Sequence, residues 1–416
     1  MRKGKRWLAA AVSAAMIVQS LASVGPVYAA DDGVSIADTF TDSSFRSYVS
    51  SNFDTDSNGY LSDAEIANVT SIDVSKCSPA ISSLNGVELF TNLSKLDCNE
   101  QSIRNLDIEN LENLEYIDVS SNGIDSLTLP VSAEKLTYLD ISGNKITSLT
   151  SLADYNNLVL LNANSTNLSS IDVSNMKGLK VLGVSGTTIS TLDLGSNMEL
   201  TTLYCDSMRS LPVLDVSGHE KLKNLYCAGA KSDSGVVVRS SITKLDVSGD
   251  IVLGSLDCSN SYVAELNIDN TPALTTLDCS NTRLTSIDVS KNTSLSYLDV
   301  SSNVLGAVDF TANTALRELY VKDTGINKLD VSTLTNLVNL DASSNSLAEL
   351  DIASNSLLEK LYISDNNIQG IKLDGHPDLK ELEIDNNNLV AIDISVCPKL
   401  YGDDGVFSCS GNSRDI

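Results

Sequence analysis

The chain has little with which to do chemistry. Its 416 residues include two histidines, His219 and His376, each three residues before a recurring leucine and so assigned to outer loops. Seven repeats separate them, roughly 34 Å at the ~4.8 Å spacing of neighbouring strands, so they cannot share a catalytic centre. No serine or cysteine nucleophile motif accompanies either, and neither Cys-x-x-Cys nor His-Glu-x-x-His occurs. An enzyme is not expected.

Positive charge is also scarce, with 28 Lys+Arg against 54 Asp+Glu and a formal charge of −26. Four of those cations, Arg2, Lys3, Lys5 and Arg6, precede the apolar stretch from Trp7 to Val24. Val27-Tyr28-Ala29 follows with the small-x-small pattern of a signal peptidase site, so residues 1–30 read as a signal peptide cut after Ala29 or Ala30. Gly25-Pro26 interrupts the run before the ~20 residues that a membrane span needs. Removal leaves 24 Lys+Arg against 54 Asp+Glu, a charge of −30. A field of that sign disfavours nucleic acid and anionic membranes and favours cations and basic partners. No later segment is long and apolar enough to cross a bilayer, and the tail from Cys409 to Ile416 carries no sorting motif. The expectation is a secreted, extracellular chain, released or retained at the cell surface.

What is present is periodicity. Anchor leucines fall at Leu93, Leu114, Leu136, Leu158, Leu179, Leu200, Leu222, Leu253, Leu274, Leu295, Leu316, Leu337, Leu358, Leu379 and Leu400. Thirteen of the fourteen intervals are 21 or 22 residues and one is 31. With the anchor as position 1, positions 4 and 6 are apolar and alternate with outward positions 3, 5 and 7, the period-two mark of a short strand. Position 9 is Asn in six repeats (Asn122, Asn144, Asn303, Asn345, Asn366 and Asn387), placed to satisfy backbone groups of stacked turns. A second extended or 3₁₀ segment is expected at Leu-Asp-Val-Ser, as in Leu245-Asp-Val-Ser248. No unit can bury its own core, so neighbours must stack.

The pattern L-x-x-L-x-[VC]-x-x-N-x-L-x-x-L-D-V-S resembles the short 21-residue class of bacterial leucine-rich repeats. That resemblance implies an α/β-type leucine-rich-repeat solenoid, with a parallel β ladder on the concave face and irregular, 3₁₀ or short extended segments on the convex face. The domains expected are the signal peptide at 1–30, an N-terminal cap at 31–92, about fourteen repeats at 93–399, and a C-terminal cap at 400–416. One insertion is expected near 229–241. Fourteen strands at ~4.8 Å would make a ladder roughly 70 Å long.

The cap holds a second motif. Asp54-Thr-Asp-Ser-Asn-Gly-Tyr-Leu-Ser-Asp-Ala-Glu65 matches the twelve-residue EF-hand loop. Asp54, Asp56 and Asn58 stand at loop positions 1, 3 and 5, Tyr60 offers its carbonyl at 7, Ser62 stands at 9, and Glu65 chelates at 12. Gly59 permits the turn, and Ser43 or Ser44 is the expected N-cap of the helix before it. One Ca2+ is expected, holding a lid over the first strand rather than signalling. The stretch Ile81 to Leu93 resembles the opening repeat of internalins, which also begin with an EF-hand-like cap; the family is used mostly for protein recognition.

Five of eight cysteines, Cys98, Cys205, Cys227, Cys258 and Cys279, share position 6 with Val, Ile and Ala and are read as free, buried, small hydrophobes. Cys397 and Cys409 remain a candidate pair. Aspartates at position 5 recur too widely to mark one site. Seven tyrosines stand at positions 3 or 5: Tyr116, Tyr138, Tyr204, Tyr226, Tyr297, Tyr320 and Tyr362. Exposed rings on a rigid face are typical interface anchors. The reading is recognition of an extracellular protein through this Tyr/Asp face, with glycan binding or a structural role as rivals.

Overall fold

The computed structural model describes residues 33–149, 152, 155–231 and 236–413; the expected signal peptide lies outside them. Parallel strands of three residues stack into one sheet of sixteen, from Ser71–Asp73 to Val406–Ser408. The sheet exceeds the expected fourteen because residues of both expected caps join it. Neighbours pair without offset, as in Leu277↔Leu298 and Leu298↔Leu319, so each anchor column repeats along the axis. In the repeat starting at Leu295, Leu295, Leu298 and Val300 are fully buried while Tyr297 and Asp299 face outward. On the other side, the Leu-Asp segments and their Leu-Asn and Leu-Thr equivalents form a three-stranded sheet (Val213–Asp215, Lys244–Asp246, Glu265–Asn267) and a two-stranded one (Asn105–Asp107, Ser126–Thr128).

Aspartates hold the turns. Asp118 accepts from the Ser120 amide at 3.0 Å and from its hydroxyl at 2.7 Å. Asp140, Asp278 and Asp299 do the same after other ladder strands, and Asp288, Asp309 and Asp330 repeat the bond on the far side. A side-chain oxygen two residues before an amide fixes a turn without help from the sheet. Much of the negative charge is therefore turn chemistry. Three residues after the ladder aspartate the backbone enters the left-handed region, at φ +52° to +55° for Glu100, Ser121, Asn281 and Ser302.

Inside, two polar columns satisfy carbonyls that no sheet reaches. Asn144 donates to Val119 and Ile141 carbonyls, both at 2.9 Å, and accepts from the Ile124 amide at 3.0 Å. It thus ties adjacent turns through three backbone groups, whereas the Thr166 and Thr187 hydroxyls each donate to one backbone carbonyl, Ala163 and Val184 of their own turns. The second column stands three residues before the anchor. There Asn355 donates to Val331 and Leu334 carbonyls at 2.9 and 2.8 Å. The histidines belong to this column and not to outer loops. His376 lies between the Leu373 and Ile352 carbonyls (3.2 and 3.0 Å), and His219 between those of Val216 and Leu194 (2.7 and 3.2 Å). Both are buried, because an imidazole can reach carbonyls of two turns as asparagine does.

Asp250 occupies the same column and is fully buried. One oxygen accepts from the His219 amide at 2.8 Å, and the other has no hydrogen-bond partner. Burial pushes its pKa from 3.8 to about 7, against the opposing amide bond, with Asp246 and Asp215 adding like charge. A folded value above the unfolded one favours the fold at low pH and costs stability as pH rises from about 4 to about 7. Asp250→Asn should therefore stabilise the chain at pH 8 by on the order of 2–4 kcal/mol and should change little at pH 4. Urea unfolding at both values checks this; a mutant less stable at pH 8 would mean that the carboxylate is satisfied.

Candidate binding surface

The outward positions of the long sheet are where the repeats differ. Position 5 runs Asp97, Asp118 and Asp140, then breaks to Asn162, Gly183, Tyr204 and Tyr226, then resumes with Asp257, Asp278 and Asp299. Register pairing makes this one continuous row, with Asp140↔Asn162, Gly183↔Tyr204 and Tyr226↔Asp257 as neighbours. Position 3 across the break is Leu160, Val181, Thr202 and Asn224, also uncharged. Four successive strands thus leave a neutral window in an acidic ladder. The carboxylate at position 7, Asp206, is half-buried and accepts from the Ala228 amide at 2.9 Å, and burial raises its pKa. At Gly183 a Cβ would stand 2.8 Å from Asn162 Oδ1 and Asn164 Nδ2, so a larger residue there would push these two side chains aside.

The seven tyrosines do not make one surface. Tyr204 and Tyr226 stack at 5.1 Å and 6° within the window, and Tyr204 is 38% exposed. Tyr116 and Tyr138 stack at 4.2 Å and 10°, half-buried among Asp97, Asp118 and Asp140. Tyr297 and Tyr320 tilt at 45°, and Tyr320 donates to Glu318 at 2.8 Å. Tyr362 stands apart and donates to Glu381. Cross-strand packing and nearby carboxylates account for the last five. Burial, then neighbouring carboxylates, pushes the Tyr297 hydroxyl up and raises Asp278 to about 6. Aligning position 5 as a column would have shown the window; scanning for tyrosines alone did not.

In the cap, the loop lies between the helices Ser43–Asn52 and Asp63–Asn68. The first helix is capped by Asp42, whose oxygen accepts from the amides of Ser44 and Phe45, and not by either serine. Ligand atoms of Asp54, Asp56 and Glu65 lie within 4.8 Å of one another. Asp54 accepts from the amides of Asn58 (3.1 Å) and Gly59 (3.0 Å), and Asn58 from that of Tyr60 (2.7 Å). Ser62 and Glu65 form a reciprocal capping box. Bonds from the Thr55 hydroxyl, the Ser62 amide and the Thr55 amide hold the Glu65 pKa down to about 2. Val34–Ser35 pairs antiparallel with Tyr60–Leu61, which covers the loop's open edge.

Cys98, Cys205, Cys227, Cys258 and Cys279 are free and fully buried, the last four on successive turns of one column. Cys397 is likewise a free thiol, its sulfur against the Leu373 carbonyl, so it does not bridge to Cys409. Among the described residues no helix is long and apolar enough to cross a membrane.

These features define a leucine-rich-repeat solenoid. Residues 112–154 match the description "Leucine Rich repeats (2 copies)" and residues 291–309 "Leucine Rich repeat". Among curated proteins none matches the sequence. Among solved structures, the functional domain of InlJ from Listeria monocytogenes, described as including a cysteine ladder, is 31% identical with a TM-score of 0.77. That match covers 90% of this chain and 80% of the other. The chain belongs to the internalin-like leucine-rich-repeat family. An internalin (inlF) of the same organism matches at 17% identity and TM-score 0.55 over 91% and 97% of the two chains, which shows the fold. So does a plant peptide hormone receptor, RGFR1, solved in complex with RGF2, at 19% and 0.53 over 79% and 64%.

Proposed function

We propose that the chain is a secreted or surface-displayed binding protein that recognises a protein partner through the neutral window around Tyr204 and Tyr226. The observation that carries this reading is the break itself. Aspartate at position 5 serves the turn; Asn162 keeps that bond, but at Gly183, Tyr204 and Tyr226 it passes to the position-7 side chain of the preceding turn (Asn164, Ser185 and Asp206), which frees position 5 for two aromatic rings within reach of solvent. A partner can cover such a surface without stripping water from carboxylates, which is costly unless they are paired. The RGFR1–RGF2 complex supports the use of this fold for binding a peptide. Protein is favoured over glycan because Tyr204 and Tyr226 turn ring faces toward each other, leaving less face for a sugar.

The cap is read as calcium-stapled. Asp54, Asp56, Asn58 and Glu65, with the Tyr60 carbonyl and Ser62, would hold one Ca2+, and the ion would pin the two helices over the first strand. The clustering of three carboxylates around amides that already orient them supports this.

Two outcomes follow. Immobilised mature chain should capture a specific protein from extracellular extract, and Tyr204→Ala with Tyr226→Ala should lower capture tenfold or more while Tyr297→Ala does not. Capture of glycan alone, or equal loss with Tyr297→Ala, would sink the window reading. For the cap, saturating calcium should raise the melting temperature over chelator, worth ~2.7 kcal/mol at a hundredfold excess over Kd. Glu65→Gln keeps an acceptor for the capping box, so it should melt near wild type in chelator but lose the calcium increment. A wild type that melts alike in both media would show that the loop binds no ion.

A further inference from the structure

The repeat that starts at Leu222 is 31 residues long. The Gly229 amide still bonds the Ser259 carbonyl as a regular turn would, and pairing resumes at Ser240↔Ser261, so residues 230–239 are the added segment. A Cβ on Gly229 would stand 2.0 Å from the Asn260 carbonyl oxygen, so only glycine lets the segment leave so close to the next turn. Ala230–Lys231 and Val237–Val238 then pair antiparallel. These two short strands leave the turn at the rim of the sheet, just beyond Tyr226 of the window.

At its base Arg239 reaches across two turns. Its guanidinium donates to the Ser261 carbonyl at 2.9 Å and to the carbonyl and side-chain oxygen of Asn281, and lies 5.5 Å from the Tyr262 ring centre. Arg283 lies over the same ring at 4.2 Å. Arg239 is consumed by those oxygens, whereas the exposed Arg283 side chain makes no hydrogen bond and no ion pair among the described residues. In a chain of charge −26, two guanidiniums over one ring with no carboxylate on either form a positive spot that the repeat does not require.

We propose that Arg283, backed by Tyr262 and Arg239, receives a single carboxylate side chain of the protein partner while the adjacent window takes its apolar groups. This rests on the protein-recognition reading above. A planar guanidinium pinned against a ring presents a preset fork that a carboxylate fills with two bonds. One anion fits better than many. Asp257 and Asp278 precede Tyr262 and Arg283 by five residues on their own turns, so a polyanion would run from the arginines into the acidic ladder. The Arg283 turn is the second beyond that of Tyr226, about 10 Å along the axis at ~4.8 Å per strand, within the span of one short peptide.

The test pans a phage-displayed random dodecapeptide library on the intact mature chain and measures synthesised binders on variants. Arg283→Met keeps bulk on the ring and removes the charge; Tyr204→Ala reports on the window. The expected binders carry one Asp or Glu at a fixed distance from an apolar residue. They should lose tenfold or more with Arg283→Met, and amidating that acid should cost nothing further on the variant. Binders weakened by Tyr204→Ala but lacking an acid and indifferent to Arg283→Met would overturn the proposal and leave recognition standing. A library that yields no binder would overturn both. A sulfated polysaccharide that binds wild type and fails on Arg283→Met would assign the spot to a polyanion and refute the single-carboxylate claim.

Discussion

Backbone carbonyls inside the coil must find donors, and the rest of the structure follows from how they do. The three-residue strands pair with neighbours, but the corners between them do so only in part, and each unpaired buried group costs about 1–3 kcal/mol. Asparagine at Asn144 or Asn303, and asparagine or histidine three residues before the anchor, supply those donors turn by turn. Such side chains must recur at fixed places in every turn, which sets the period. Inward positions are therefore committed to the coil, and only the outward ones are free to specialise.

Charge is governed by the same economy. Aspartates two residues before an amide hold turns on both sides of the coil, so the acidic ladder is a by-product of building corners. That uniform background gives its exceptions meaning. The run Gly183, Tyr204, Tyr226 moves the turn bond off position 5 to the preceding turn, and the Arg239–Tyr262–Arg283 cluster introduces charge of the opposite sign beside it. Both deviations lie next to the one lengthened repeat. Departures from a repeat that coincide in space, and that packing does not demand, mark a surface shaped for something outside the chain.

The period, the inward leucines and the position-9 asparagines were legible from the residues, because each is a local rule repeated many times. The helix before the Asp54–Glu65 loop was legible in outline for the same reason: its apolar spacing is short and self-contained. The placement of His219 and His376 in outer loops failed because the position three residues before the anchor is an inward corner that needs buried polar groups. The ladder's end strands were missed because neither has the anchor leucine: Ser71–Asp73 packs through Val69, Ile72 and Val74 instead, and Val406–Ser408 pairs onto Glu381–Glu383. The reach of Arg239 to Asn281, 42 residues on, depends on how the added segment folds back, which no local pattern encodes.

The most direct test of the account is site-specific photo-crosslinking from the sheet face in extracellular extract. A photoreactive residue at Asn224, inside the window, should give a discrete protein adduct. The same residue at Thr276, on the equivalent position of the acidic ladder, should give little. Adducts from Thr276 alone, or equally from both, would contradict the claim that the break in the ladder is where a partner sits.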